Sequence, residues 1–488
     1  MKLSKSKYCN GIQCKKMLWL DKYRNEFKEE IDNSRFLDNG NDVHEVARKL
    51  FGEDVNIEFN ENLNQMIKDT KEALKKENAI ITEASFNYKD NFCSVDILKK
   101  EGNNYEMYEV KSSTHLKDVF INDLSYQYYV LTKLGYNICN AYVVILDSSY
   151  VRYGDLELDK LFKIIDCTDK IIDLQTIVKK NIDEINNYME NDDEPNDDIG
   201  NYCFEPYMCP FFSYCTKNIN KPNIFDIRLM SNSKKIDLYK KNKYSYKDLL
   251  NENINDKYKQ QIEYELYEKD DYIDKKKIKE FFNTLSYPLY FLDFETFQMS
   301  IPKYDGVKPY MQIPFQYSLH YYDIDYNLKH KEFLAEADID PRRKLAEQLV
   351  KDIPNDACVL AYNMSFEKTV IKNLANLYPD LSESLINIHN KIKDLMVPFK
   401  SRYYYTKNMH GSYSIKYVLP ALFPNEPSLD YHNLDLVHNG SEAMDIYAHL
   451  GEYSTDEQSK IRDSLLKYCY LDTYAMVKIY DKLKEIVN

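Results

Sequence analysis

Tyr290-Phe291-Leu292-Asp293-Phe294-Glu295-Thr296-Phe297 decides how the chain is read. Five of these eight residues are aromatic or leucine, and Tyr287-Pro288 precedes them as a strand entry. The stretch predicts a buried central strand. Side chains alternate along a strand, so Asp293 and Glu295 share one face. Two acids on a buried face repel each other and are costly to desolvate, and a divalent cation relieves both costs.

Working outward, Gln316–Tyr322 and Lys331–Leu334 read as further strands, and Pro341 to about Asp352 as an amphipathic helix. A strand over Cys358–Tyr362 leads into Asn363-Met-Ser-Phe-Glu367, where Asn363 or Ser365 can cap a helix with Glu367 in its first turn. Near the end, Leu465–Met476 is helical, and Tyr468 and Asp472, four apart, share a face. Asp394–Phe399 and Gly411–Pro420 read as loops on the substrate side.

The first 220 residues carry a second set of chemical groups. Cys203, Cys209 and Cys215 stand at equal steps in a loop broken by two prolines. Three thiolates need a fourth ligand to complete a zinc site or an iron–sulfur cluster. Cys14 is the better candidate and Cys9 the weaker. Cys93, Cys139, Cys167, Cys358 and Cys469 sit singly in apolar surroundings and read as core. Residues 84–99 and 104–111 read as strands that bring Asp96 beside Glu109 and Lys111. Asp and Glu can hold Mg2+ or Mn2+, and the lysine can position a water and offset phosphate charge. His44, in a helix after Gly40, can add a ligand, and Gln127 lies in the next helix. Residues 180–200 read as a solvated acidic loop, and 219–284 as a helical connector.

At 488 residues, two or three domains are expected, and 44% hydrophobic residues suffice for their cores. The net charge of -14 runs against the basic balance usual for nucleic-acid binders, so binding would rely on metal ions and a local Lys/Arg path. No stretch has the length of a membrane span and no signal-peptide core follows Met1, so a cytoplasmic protein without a membrane partner is expected. There the cysteines are not a disulfide framework.

Residues 1–218 resemble the RecB-like, PD-(D/E)xK nucleases of the CRISPR-associated exonuclease type. The resemblance implies a restriction-endonuclease-like α/β domain with a [4Fe–4S] cluster on Cys14, Cys203, Cys209 and Cys215. It implies metal and catalytic roles for His44, Asp96, Glu109 and Lys111, with Gln127 as the helix glutamine. The cysteine spacing is C-x5-C-x5-C, where better-known members have C-x2-C-x5-C. Residues 285–488 resemble the DEDD 3′–5′ exonucleases of the tyrosine subclass, with a ribonuclease-H-like α/β fold. There Asp293, Glu295, Glu367 and Asp472 would be the four carboxylates and Tyr468 would orient the water; many relatives have Asp where Glu367 stands. The whole chain resembles a bacterial family that joins the two nuclease types. The implied activity is metal-dependent hydrolysis of DNA, in repair or defence. An RNA 3′–5′ exonuclease and a nucleic-acid-binding factor with idle sites are the alternatives.

Overall fold

The computed structural model describes residues 3–30 and 42–488; Gly40 and Asn41, from which the His44 helix is expected to run, lie outside the described residues. The chain divides into two compact units, Met1–Ile219 with Met299–Tyr310, and Asn220–Gln298 with Met311–Asn488. Both are mixed α/β. Among the described residues, no helix is long and apolar enough to cross a membrane.

The first unit contains β1 (Leu3–Ser4), β2 (Val55–Asn56), β3 (Asn78–Tyr88), β4 (Asn91–Glu101), β5 (Asn104–Val110), β6 (Asn137–Leu146) and β7 (Phe162–Asp166). They form one sheet in the order β2-β3-β4-β5-β6-β7, with β1 parallel to the start of β4. The span 84–99, expected as one strand, is parts of two. The chain reverses at Lys89-Asp90, whose φ angles of 46° and 64° are those of a two-residue hairpin loop matched to strand twist. β5 and β6 run parallel, which requires a crossover, and the helix Asp118–Lys133 supplies it. Ile97, Tyr108, Val110, Val144 and Leu146 bury one face of the sheet with Val43 and Ala47 of the helical residues 42–48. The first part of the expected acidic loop, through Met189, continues the helix Thr168–Met189. Its buried Ile182, Ile185 and Met189 hold that turn of chain in place. Cys139 is exposed, not core, because it lies on an outward position of β6.

The second unit contains β8 (Tyr272–Ile273), β9 (Leu289–Phe297), β10 (Ile313–Tyr322), β11 (Leu328–Leu334), β12 (Cys358–Ala361), β13 (Ile392–Asp394) and β14 (Tyr404–Tyr405). Its main sheet has the order β11-β10-β9-β12-β13, with β9 in the centre. β10 is antiparallel to β9 and β11, whereas β12 is parallel to β9 and β13. Alternation along β9 buries both faces. Leu289 and Phe291 pack with Leu471, Ala475 and Ile479 of the long helix Thr455–Val487. Tyr290, Leu292 and Phe294 pack with the helices Arg342–Asp352 and Ser365–Leu377. Asp293 and Glu295 therefore face the long helix.

The connector expected over 219–284 is built into the second unit. It has its own core of Ile224, Ile227, Leu238, Leu249 and Ile262, while its Ile278 joins the main core and β8 pairs with β14. Apolar residues at helical spacing made it helical, but β8 had no signal beyond two residues.

Candidate active site

In the second unit, carboxylates from three separated segments meet over β9. Asp293 lies opposite Ser318 of β10, and Glu295 opposite Gln316. Glu367 enters from the first turn of Ser365–Leu377, and Asp472 from Thr455–Val487, one turn beyond Tyr468. Neither Asn363 nor Ser365 caps the Glu367 helix. Met364 takes the cap position without a side-chain bond, and Asn363 adopts φ 71° while its N–H donates to Asp394 Oδ1 at 3.0 Å. Asn is among the few side chains that tolerate this left-handed turn, and the turn delivers Glu367 to the site.

Burial pushes every one of these acids up. Asp293 is held well above the carboxylate range by burial and then by Asp472, Glu295 and Glu367. Glu295 is held well above it by burial and by Asp472, with Lys416 opposing. Glu367 rises to about 8 through burial, with Asp394 adding to the effect. Asp472 rises to about 6 through burial, opposed by hydrogen bonds from Tyr431 and Tyr468. The Tyr431 hydroxyl donates to Asp472 Oδ1 at 2.6 Å. Glu367 Oε2 is buried and, among the described residues, has no hydrogen-bond partner. Such an arrangement is unfavourable for the protein alone and fits a divalent cation, since hard cations take carboxylate oxygens. Asp293, Glu295 and Cys469 present ligand atoms within 4.8 Å of one another.

Residues beyond the four acids complete the site. A Cβ on Gly440 would lie 3.6 Å from Glu295 Oε2 and 3.9 Å from the Tyr468 hydroxyl, so the backbone of the Gly440–Ala448 helix closes over them. A cleft of about 1030 Å³ opens beside it, lined by Lys416, Phe423, Tyr431, His432, His438 and Asn439 among others. Tyr431 and Gly440 had no signal in the sequence, whereas Lys416 lies in one of the two stretches expected as substrate-side loops. Both are partly regular, since Ile415–Leu422 and Val397–Lys400 are helical and Asp394 ends β13, their apolar residues packing into the core.

In the first unit, register alone aligns three acids. Thr82 pairs with Ile97 and Ala84 with Val95, so Glu83 falls opposite Asp96; Ile97 pairs with Tyr108, so Glu109 falls on the other side of Asp96. The main-chain ladder opens there. Val110 N–H donates to Asp96 Oδ2 at 2.7 Å, and the Val110 carbonyl lies 3.1 Å from His44 Nε2. His44, Glu83 and Asp96 present ligand atoms within 4.8 Å of one another, in a pocket of about 290 Å³. Burial and Asp96 push Glu83 up to about 7. Burial and Glu109 also raise Asp96, with Lys5 and His44 opposing.

Glu109 is fully buried and answers to cations of the chain itself. Lys5 and Lys111 Nζ lie 2.7 and 2.8 Å from Oε1, and Gln127 Nε2 donates to Oε2 at 2.5 Å. Burial raises the Glu109 carboxyl, but Lys111 and Lys5 outweigh it and hold it below the carboxylate range. Lys111 also pairs with Asp123 at 2.6 Å, and Cys9 donates to that Asp123. The structure thus places the metal-type donors on His44, Glu83 and Asp96, while Glu109, expected beside Asp96 as a ligand, orders two lysines. Asp123 was legible, four residues before Gln127 on one helix. Glu83 and Lys5 were not, because both arrive through strand pairing.

Cys14 stands between the helices Lys5–Gln13 and Lys15–Tyr23, and the Gln13 side chain donates to the carbonyls of Tyr202 and Tyr207 at 2.8 and 2.7 Å. Cys209 N–H donates to the Cys203 carbonyl at 2.8 Å. Burial pushes Cys203 up to about 11 and Cys209 up to about 12, and Cys14 and Cys215 act on both. Cys14 raises Cys203, Cys209 and Cys215 alike, which sets the four thiols in one neighbourhood; among the described residues they do not bring their sulfurs within 4.8 Å of one another. Cys9 is turned to Asp123 instead.

A family described as a domain of unknown function (DUF2779) matches residues 290–414, a span that includes Asp293, Glu295 and Glu367 and stops before Tyr468 and Asp472. No curated protein and no solved structure matches the chain.

Proposed function

We propose that the chain is a metal-dependent nuclease that hydrolyses phosphodiester bonds of DNA, with a 3′–5′ exonuclease site in the second unit and a RecB-like site in the first. One observation carries the reading: four carboxylates and a tyrosine, distant in sequence, meet on the face of a central strand with a buried oxygen left unpartnered. The strand order β11-β10-β9-β12-β13, with one antiparallel and one parallel half, supports a ribonuclease-H-like fold. In the first unit, the acid–acid–lysine set on β3 to β5 supports the PD-(D/E)xK reading.

Asp293, Glu295, Glu367 and Asp472 would hold divalent cations, Mg2+ or Mn2+, which when bound supply charge neutralisation and polarisation of the phosphoryl group. Tyr468, its hydroxyl kept protonated by burial and by Asp472, orients water over the acids. The cleft toward Lys416 and His438 receives the strand end. In the first unit, His44, Asp96 and Glu83 would hold the cation, and Glu109 aims Lys5 and Lys111 at phosphate. Cys14, Cys203, Cys209 and Cys215 would hold a [4Fe–4S] cluster that ties the two ends of residues 1–218 together.

The test is digestion of 5′-labelled single- and double-stranded DNA and RNA with Mg2+ and with Mn2+. A ladder shortening from the 3′ end, abolished by Asp293→Ala, is expected. Binding without cutting under every condition refutes the reading and favours a nucleic-acid-binding factor. Trimming confined to RNA reassigns the substrate.

A further inference from the structure

The helix Ile415–Leu422 is a wall of two cavities. Its Lys416 lines the cleft beside the four carboxylates, and its Tyr417 lines a separate pocket of about 730 Å³. The Cα atoms of such neighbours are about 3.8 Å apart, so the two cavities adjoin across one helix.

The second pocket is built by the helical segment 220–267 against the loop around His410. Its frame is tightly fixed. Buried Gln261 accepts the Arg228 N–H at 3.0 Å and donates to the Asp226 carbonyl at 3.0 Å. Gly411, at φ +77°, presses so close that a Cβ there would meet Gln261 Oε1 at 2.1 Å. Only glycine satisfies both the backbone angle and the approach.

Lys221, Arg228 and Lys235 all line this pocket. Arg228 stacks over Tyr417, 4.7 Å from its ring centre, and donates to its hydroxyl. Lys235 Nζ donates to the Phe225 carbonyl at 3.1 Å. The two acids at the pocket are already engaged. Asp226 accepts the Asn223 N–H at 2.8 Å, and Glu265 lies 2.9 Å from His410 Nδ1. Among the described residues, none of the three cations has an ion-pair partner. Burial, and then Arg228, pushes the Lys235 ammonium down, with Asp226 opposing. Three cations against the two acids Asp226 and Glu265 leave this pocket locally basic in a chain of net charge -14.

We propose that this pocket binds the phosphodiester backbone of a single strand whose end occupies the four-carboxylate site, the strand passing over the helix Ile415–Leu422. This rests on the nuclease reading of the second unit. A guanidinium held flat on an aromatic ring and two lysines are the groups that track a strand backbone without reading its sequence. A short strand reaches only the carboxylate cleft; a longer one reaches both.

The test uses the full chain and the variant Lys221→Ala/Arg228→Ala/Lys235→Ala. Lys221 and Arg228 are exposed, and circular dichroism checks the fold. Single strands of about 4 and about 30 nucleotides are compared. In wild type, affinity for the long strand falls with salt. Each phosphate contact contributes about 0.7 to that log–log slope, so the triple variant should flatten it by about 2. Trimming of the short strand should stay unchanged. Lys221→Ala alone, at an exposed side chain with no hydrogen bond among the described residues, should flatten the slope by about 0.7 and covers the case in which the triple variant does not fold. An unchanged slope in a protein that still binds and trims overturns the strand path and leaves the nuclease reading standing. Competition by inorganic phosphate without any dependence on strand length assigns the pocket to a free anion and also overturns it. Wild type that binds neither strand overturns both.

Discussion

Replacing Glu367 with glutamine should stabilise the metal-free protein, and only at high pH. Glu367 is buried, its Oε2 has no hydrogen-bond partner, and burial lifts its carboxyl from 4.5 to about 8. The native state therefore holds this proton more tightly than the unfolded chain does. Between pH 4.5 and about 8 it binds more protons than the unfolded chain, so stability is highest below that window and is lost as pH rises through it. The full difference in proton affinity corresponds to about 5 kcal/mol at most. Glutamine keeps the shape and never ionises. With EDTA present, wild type and Glu367→Gln should melt together near pH 5 and separate progressively toward pH 9. A gap of about 2–5 kcal/mol would appear as roughly 4–20 °C for a unit of this size. Saturating Mn2+ should narrow the gap by raising wild type, since the cation replaces the missing positive charge. The assay is thermal unfolding followed by circular dichroism from pH 5 to 9. A gap independent of pH, or one in which wild type gains on the variant as pH rises, would refute the claim that this carboxyl is buried at a cost.

Cys209→Ser should remove the colour of anaerobically purified protein and loosen residues 1–218; colourless wild type with stoichiometric zinc would replace the iron–sulfur assignment and keep the four ligands. Lys111→Ala should abolish cutting by the first site and spare 3′ trimming, while Asp293→Ala should do the reverse with a loss of about 100-fold or more; loss of all cutting on 3′-blocked and unblocked strands from either change would show the sites are not independent. Gly440→Leu should reduce trimming without lowering the melting temperature, because the side chain would project past the Cβ position 3.6 Å from Glu295. His320 is buried against Thr473 and pushed down to about 3 by burial and by His330, so its contribution to stability is complete above pH 6.5 and is lost as pH falls toward 3; His320→Gln should flatten that acid limb in an unfolding profile.

Local periodicity carried much of what could be read in advance. Period two put Asp293 and Glu295 on one face, and the turn of a helix did the same for Tyr468 and Asp472, because both relations involve residues a few positions apart. The cysteine steps marked the loop 203–215 for the same reason. Boundaries were less legible. The turn at Lys89-Asp90 lacks the glycine that commonly marks such hairpins, and the two residues of β8 carry no pattern of their own. Tertiary structure alone decided the partners. Glu83 reaches Asp96 through β3–β4 register, and Lys5 reaches Glu109 because β1 pairs with β4. Gly440 reaches Glu295, and Arg228 reaches Tyr417, across long stretches of chain. None of these pairings follows from spacing, since strand register and helix docking are set by burial of whole faces. The same burial raises the carboxyls of Asp293, Glu295, Glu367 and Asp472, so the charge state of the site is a property of the packed fold.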